Sequence, residues 1–172
     1  MNAVFIGSNS SPLWMRVVFG RNPKRTLVRL MCMVVLTVVV FHFVLIPIRV
    51  SGLSMFPTYN DGRVNVINHQ AYRWKKPRRG DVVAFRLPEE GNVVLLKRII
   101  GLPGERVFLV DGRAYINGQP LDEPYAKLGK DGPTSDREII LAPDEYFVIG
   151  DNRNISVIRR IPEHYILGKV LF

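Results

Sequence analysis

The chain has 172 residues, 47% of them hydrophobic and 23% charged, which suits one folded domain plus an extra segment and excludes wholesale disorder. Its single cysteine, Cys32, excludes an intrachain disulfide and a cysteine-built metal site. The net charge of +9 is uneven: before residue 30 there are five basic residues and no acidic one, whereas from Arg49 onward nineteen basic face fifteen acidic residues.

Residues 1–29 form a basic N-terminal segment containing Arg16, Arg21, Lys24, Arg25 and Arg29. Such a block beside an apolar run is the pattern of a cytoplasmic flank. An arm for nucleic acid is the alternative, but the apolar run follows at once, so no nucleic-acid partner is expected. Residues 30–48 carry no formal charge, with Thr37, His42 and Pro47 as the interruptions. As a helix they reach about 28 Å, close to the ~30 Å of a bilayer's hydrocarbon core. With no polar face they read as a transmembrane anchor rather than a buried core helix. Pro47-Ile48-Arg49-Val50 offers no small-x-small cleavage site, so the anchor is read as retained. The positive-inside rule then puts the N-terminus in the cytoplasm and residues 49–172 outside it, as a single-pass protein of the plasma (inner) membrane. His42 is read as a neutral histidine near the outer interface rather than a functional group.

After the anchor no segment keeps a 3.6-residue apolar period over a dozen residues. Short apolar runs separated by turn signals predict an all-β domain. The expected strands are 64–68, 81–87, 93–100, 107–110, 114–116, 138–141, 146–149 and 168–172. Asp111-Gly112 and Asn117-Gly118 accept the positive φ angles of tight turns, so 107–121 reads as a small hairpin. Residues 122–136, rich in Asp, Gly, Pro and Lys, read as a surface loop. In the segment 72–79, Arg73, Lys75, Lys76, Arg78 and Arg79 interleave with Tyr72 and Trp74. Contact with anionic lipid headgroups and a solvated basic loop are both open readings.

Two residues suggest chemistry. Ser54 lies in Val50-Ser51-Gly52-Leu53-Ser54-Met55-Phe56-Pro57-Thr58, just after the anchor. A serine hydroxyl needs a base to act as a nucleophile. The two histidines of the domain, His69 and His164, stand in polar surroundings without an evident carboxylate partner, which disfavours a Ser-His-Asp triad. Lys97 interrupts the apolar run Val93-Val94-Leu95-Leu96-Lys97-Arg98-Ile99-Ile100. Strand alternation puts Val93, Leu95, Lys97 and Ile99 on one face. Burial disfavours the charged form of an amine, so Lys97 could serve as a base. A lysine at a strand edge with its head in water fits that pattern equally well.

Four stretches in order resemble the motifs of type I signal peptidases: residues 50–58, Gly80-Asp81-Val82-Val83-Ala84-Phe85, Leu96-Lys97-Arg98-Ile99-Ile100-Gly101-Leu102-Pro103-Gly104 and Gly150-Asp151-Asn152-Arg153. With the anchor, the likeness covers residues 26–172. It implies a mostly antiparallel, small barrel-like β fold with one N-terminal transmembrane helix and an apolar surface resting on the bilayer. It also implies Ser54 as nucleophile and Lys97 as general base, with Gly52, Arg98, Asp151, Ser156 and Arg160 in support. Gly52 stands where some members carry a Ser or Thr that helps hold the oxyanion, so backbone N–H groups, notably that of Ser54, are expected to do so. Ser156 aligns with the serine that bonds the catalytic lysine. The usual aspartate between it and Arg160 is Ile158, so an ion pair is missing or rebuilt with another carboxylate.

The resemblance implies an endopeptidase that removes N-terminal signal peptides from exported preproteins, with preproteins and the lipid bilayer as partners and no metal or cofactor. The sequence leaves two alternatives open. One is a peptidase of the same clan with a dedicated pilus or conjugation substrate. The other is a catalytically degenerate, membrane-tethered binding module, kept open by Ile155 and Ile158.

Overall fold

The computed structural model describes residues 22–88, 91 and 93–171. Most of the basic segment, residues 1–21, and Phe172 of the last expected strand lie outside the described residues. The chain divides into two compact units, Met1–Val40 and Phe41–Phe172.

Helix α1 runs over Pro23–Phe43. Proline is at home in the first helical position, where its missing N–H has no partner to lose. The residues Lys24–Phe43 have a mean hydropathy of 2.2 and suffice by length and composition to cross a membrane. Thr37 gives its hydroxyl to the Met33 carbonyl at 2.8 Å, so its polarity is consumed inside the helix.

The helix ends five residues before the boundary expected at Ile48, and it starts seven residues earlier than Leu30. Pro47 explains the end. A proline clashes with the carbonyl four residues back, here that of Phe43, and drives the residue before it to extended backbone. Leu45–Arg49 accordingly forms strand β1, antiparallel to β2 (Val64–Asn68), with Pro47 opposite Val66. The apolar run is continuous across this break, so hydropathy alone reads through it.

The domain is mostly antiparallel β, as expected, in two sheets. The larger is built from β1, β2, β3 (Val82–Phe85), β4 (Leu95–Gly101), β9 (Glu145–Ile149), β10 (Arg159–Pro162) and β11 (Ile166–Leu171), in the order β1-β2-β11-β3-β4-β9-β10. The smaller has β5 (Arg106–Val110), β6 (Arg113–Ile116), β7 (Gln119–Pro120) and β8 (Ile139–Ile140), in the order β7-β6-β5-β8. Asp111 (φ 48°) with Gly112 (φ 76°), and Asn117 (φ 50°) with Gly118 (φ 81°), make the two tight turns that their sequences predict. Strands β1, β7 and β10 were not expected; each contains a proline and lies at a sheet edge, where a missing N–H breaks no ladder.

Between the sheets, Ile100, Phe147 and Ile149 of the larger pack with Val107, Leu109 and Ala114 of the smaller. A second cluster joins Val50, Met55 and Tyr59 to Val82 and Ala84. A third joins Val83, Phe85, Ile99, Tyr146 and Val148.

Candidate active site

Ser54 belongs to the loop between β1 and β2. Its base is closed by two backbone bonds of 2.9 Å, Val50 N–H to the Arg63 carbonyl and Gly62 N–H to the Val50 carbonyl. Met55 and Tyr59 are buried and fix the loop from beneath, while Leu53 stays 54% exposed. The half-buried Ser54 is thus held between a plugged side and an open side. Gly52 has φ +98°, and the place a side chain would take there is empty to 4 Å. Its N–H donates to Asp61 Oδ1 at 2.8 Å. Among the described residues no protein acceptor takes the Ser54 N–H.

The loop after β9 meets this segment directly. Asn152 donates its backbone N–H to the Ser54 carbonyl at 3.0 Å and its side-chain Nδ2 to the Leu53 carbonyl at 3.1 Å. Gly150 comes so near that a Cβ on it would lie 2.2 Å from the Ser54 carbonyl oxygen and 2.6 Å from Ser156 Oγ. Ser156 is buried, and its Oγ accepts the Gly150 N–H at 2.6 Å.

Strand β4 runs alongside. Arg98 pairs with Ile149 and Ile99 with Val148, so the same register continued one residue sets Lys97 across from Gly150. Directly opposed residues of an antiparallel pair project to the same face. Lys97 therefore shares the face toward which Gly150 would send a side chain, the face of the Ser54 carbonyl and Ser156 Oγ. On the other flank Lys97 is opposite Val83, which is fully buried. Lys97 itself is 7% exposed, which sets aside the edge-strand reading with its head in water.

Arg98, one residue on, projects to the other face. Its Nε and Nη2 bond the two oxygens of the fully buried Asp151 at 2.8 and 2.6 Å, and Nη1 bonds the Gly80 carbonyl at 2.8 Å. Thr58 gives its hydroxyl to Asp151 Oδ2 at 2.5 Å, and the Arg98 guanidinium lies 3.9 Å above the Tyr125 ring. Burial alone would lower the Arg98 pKa, but the Asp151 carboxylate outweighs it and the net shift is upward. Burial raises the Tyr125 hydroxyl pKa, helped by the Glu123 charge. The bidentate pair ties β4 to the loop that carries Gly150 and Asn152.

Behind that loop Arg153 is fully buried. It bonds the Gly150 carbonyl at 3.1 Å through Nε, the Gly112 carbonyl, and both oxygens of Glu123. Glu123 also accepts the Tyr125 hydroxyl at 3.2 Å and the Ala114 N–H at 3.2 Å. It falls in the stretch expected to be a surface loop, yet its side chain is only 6% exposed. The loop's polar composition hides this, because Glu123 is buried by pairing rather than by apolarity.

Among the described residues Arg160 is not paired with a carboxylate of the last motif. Its Nε stands 3.8 Å from Glu145 on the neighbouring strand, with the arginine side chain 54% exposed, so the expected ion pair is rebuilt loosely. Ile158 packs against the inter-sheet core, while Ile155 remains exposed. Residues that sequence reasoning did not single out include Thr58, Asp61, Glu123 and Tyr125. Asn152 had a signal, since it lies inside the matched Gly-Asp-Asn-Arg motif. Among the described residues no group of three or more His, Cys, Asp or Glu is arranged to hold a metal ion.

Residues 24–172 match the family model described as signal peptidase, peptidase S26. Signal peptidase I V of Bacillus subtilis is 36% identical over 135 residues, 72% of this chain and 79% of the relative. Signal peptidase IB of Staphylococcus aureus is 32% identical over 158 residues, 80% of this chain and 82% of the relative. A solved signal peptidase I from Enterococcus faecalis, 30% identical, covers 55% of this chain and 97% of its own, with a TM-score of 0.47. With that length of match lying over the loop, strand and turn just described, the chain belongs to the signal peptidase family, peptidase S26, and is a hydrolase of the serine endopeptidase kind.

Proposed function

We propose that the chain is a single-pass membrane endopeptidase that uses Ser54 as nucleophile and Lys97 as general base to remove N-terminal signal peptides from exported preproteins. The observation that carries this reading is the close approach at Gly150, where the Ser54 carbonyl and Ser156 Oγ lie on the face that Lys97 shares. Burial of Lys97 supports its role, because a desolvated amine gives up its charge more readily than one in water.

In the proposed reaction an extended precursor segment lies along the Ser51–Leu53 backbone and offers a carbonyl to Ser54. The Ser54 Oγ attacks that carbon while the Lys97 amine takes the hydroxyl proton. The tetrahedral oxyanion is held by the Ser54 N–H, which has no protein acceptor among the described residues. Gly52 leaves room beside it, and its own N–H is engaged by Asp61. The Lys97 ammonium returns its proton to the departing amine, giving an acyl-serine and a free new N-terminus. Water, deprotonated by Lys97, then hydrolyses the acyl-serine. Helix α1 is read as the membrane anchor, with the domain on the extracytoplasmic side.

In-membrane cleavage of a model preprotein tests the reading. Ser54→Ala and Lys97→Arg should both lose turnover, since a guanidinium cannot serve as a base near neutral pH. His69→Ala and His164→Ala should keep it. Appreciable cleavage by Lys97→Arg removes Lys97 from the mechanism.

A further inference from the structure

The loop joining β2 to β3 starts beside the end of α1. The His69 N–H bonds the Val44 carbonyl at 2.9 Å, and Gln70 Nε2 bonds the Phe43 carbonyl at 3.2 Å. Farther along, the Tyr72 hydroxyl and the Arg78 N–H both donate to the Asp81 carboxylate, at 3.0 and 3.1 Å, and Pro77 is buried. Held at these points, the loop turns Arg73, Trp74, Lys75, Lys76 and Arg78 outward.

Trp74 is 86% exposed, more than any other large hydrophobic side chain among the described residues. The Arg73 guanidinium lies 5.4 Å from its ring centre. The side chains of Lys75 and Arg78 meet no protein partner among the described residues, and Lys76 only approaches Glu163 at 3.9 Å. Arg79 differs: it turns inward to the Ile100 carbonyl and, at 2.6 Å, to Glu105. A bare indole among cations, rooted where an apolar helix ends, matches the chemistry of a bilayer's headgroup layer. Tryptophan is enriched there, and lysine and arginine meet lipid phosphates there.

We propose that residues 73–78 dock on acidic phospholipid headgroups next to the end of α1, with Trp74 at headgroup depth and the surrounding cations on phosphates. The inference rests on the reading of α1 as a membrane span. Each cation near an anionic surface shifts the balance roughly fivefold, so the removal of three should weaken docking on the order of a hundredfold.

The chain has two tryptophans, Trp14 and Trp74, so Trp14→Phe leaves Trp74 as the sole reporter. That full-length variant would be reconstituted into vesicles of phosphatidylcholine alone and into vesicles mixed with phosphatidylglycerol. With the same fraction of brominated phosphatidylcholine in both kinds of vesicle, Trp74 emission should shift to the blue and be quenched in the mixed vesicles only. Added salt should reverse both changes, as should Lys75→Gln, Lys76→Gln and Arg78→Gln combined. Equal quenching in the two kinds of vesicle overturns the proposal without reliance on any charge variant, and so does a triple variant that matches its parent. Cleavage of a soluble peptide in detergent separates this from the peptidase reading. The triple variant should match its parent there, and an inactive parent with an intact lipid response counts against the peptidase reading alone. Release of the protein from membranes by alkaline carbonate counts against the span and takes the lipid proposal with it.

Discussion

The residues proposed to carry the chemistry sit on the seven-stranded sheet or in its loops: Ser54 between β1 and β2, Lys97 on β4, Ser156 between β9 and β10. The four-stranded sheet contributes none of them. It reaches the Gly150–Ser156 loop through Arg153, which bonds the Gly112 carbonyl between β5 and β6 and the Glu123 carboxylate just after β7. The larger sheet sets positions by strand register and by backbone contact too close for a side chain. The smaller sheet backs that arrangement with a buried charge pair. Damage on the two sides should therefore look different, as lost turnover on one and lost stability on the other.

The largest expected effect is on the smaller sheet's side. Glu123→Ala leaves the fully buried Arg153 without its carboxylate, and breaking a buried pair in this way costs about 3–5 kcal/mol. The urea midpoint should fall accordingly, while specific activity at low temperature stays near wild type in the fraction that remains folded. A variant as stable as wild type would show that the pair is not what holds the loop.

Gly150→Ala probes the other side. Its added Cβ would overlap the Ser54 carbonyl and Ser156 Oγ, so one of the two must move. A displacement of about 1 Å at a reacting group can lower turnover about a hundredfold, and the crowding itself costs about 1–3 kcal/mol. Turnover should thus fall by more than the folded fraction does. Proportional loss of both would erase the distinction between the two sheets.

The smallest effect concerns Asp81, which ties the start of β3 to β11 through Lys169 at 2.6 Å. Burial alone would raise its pKa, but hydrogen bonds from Lys169, the Arg78 N–H and the Tyr72 hydroxyl hold the carboxyl below its ordinary value. A carboxyl with a lowered folded-state pKa contributes stability above its unfolded value of about 3.9, and that contribution is lost as pH falls through the folded value. Asp81→Asn should be less stable than wild type by about 1–2 kcal/mol at neutral pH, with the gap closing below about pH 4. Denaturation midpoints followed down in pH would show it, and a gap that widens in acid contradicts the assignment.

The candidate site is easier to pick out in the sequence of this chain than its scaffolding, for physical reasons. Ser54, Lys97 and Gly150 lie in short runs whose order is distinctive, and the alternation around Lys97 is visible in the letters. The turns at Asp111-Gly112 and Asn117-Gly118 were equally plain, because positive φ restricts the residue choice. The end of α1 was misplaced because Leu45, Ile46 and Ile48 are apolar whether they enter a membrane or a sheet. Strand β10 was missed because Arg159-Arg160-Ile161-Pro162 has no alternating pattern and takes its shape from pairing with β9. Glu123 was missed because its burial depends on an arginine thirty residues away.

The prolines at the sheet edges have a consequence for how copies of this protein behave toward one another. An outer strand offers a row of unpaired N–H and C=O groups on which a second chain can template. Here β1 carries Pro47, β10 carries Pro162 and β7 carries Pro120, and each borders a sheet. The fourth border, β8, is two residues long. None of the four gives an incoming strand a long uninterrupted ladder, so edge-to-edge growth into aggregates is blocked at every border. The domain can in this way stay dispersed when crowded, and under the proposed function its extended-backbone pairing is reserved for the loop that carries Ser54.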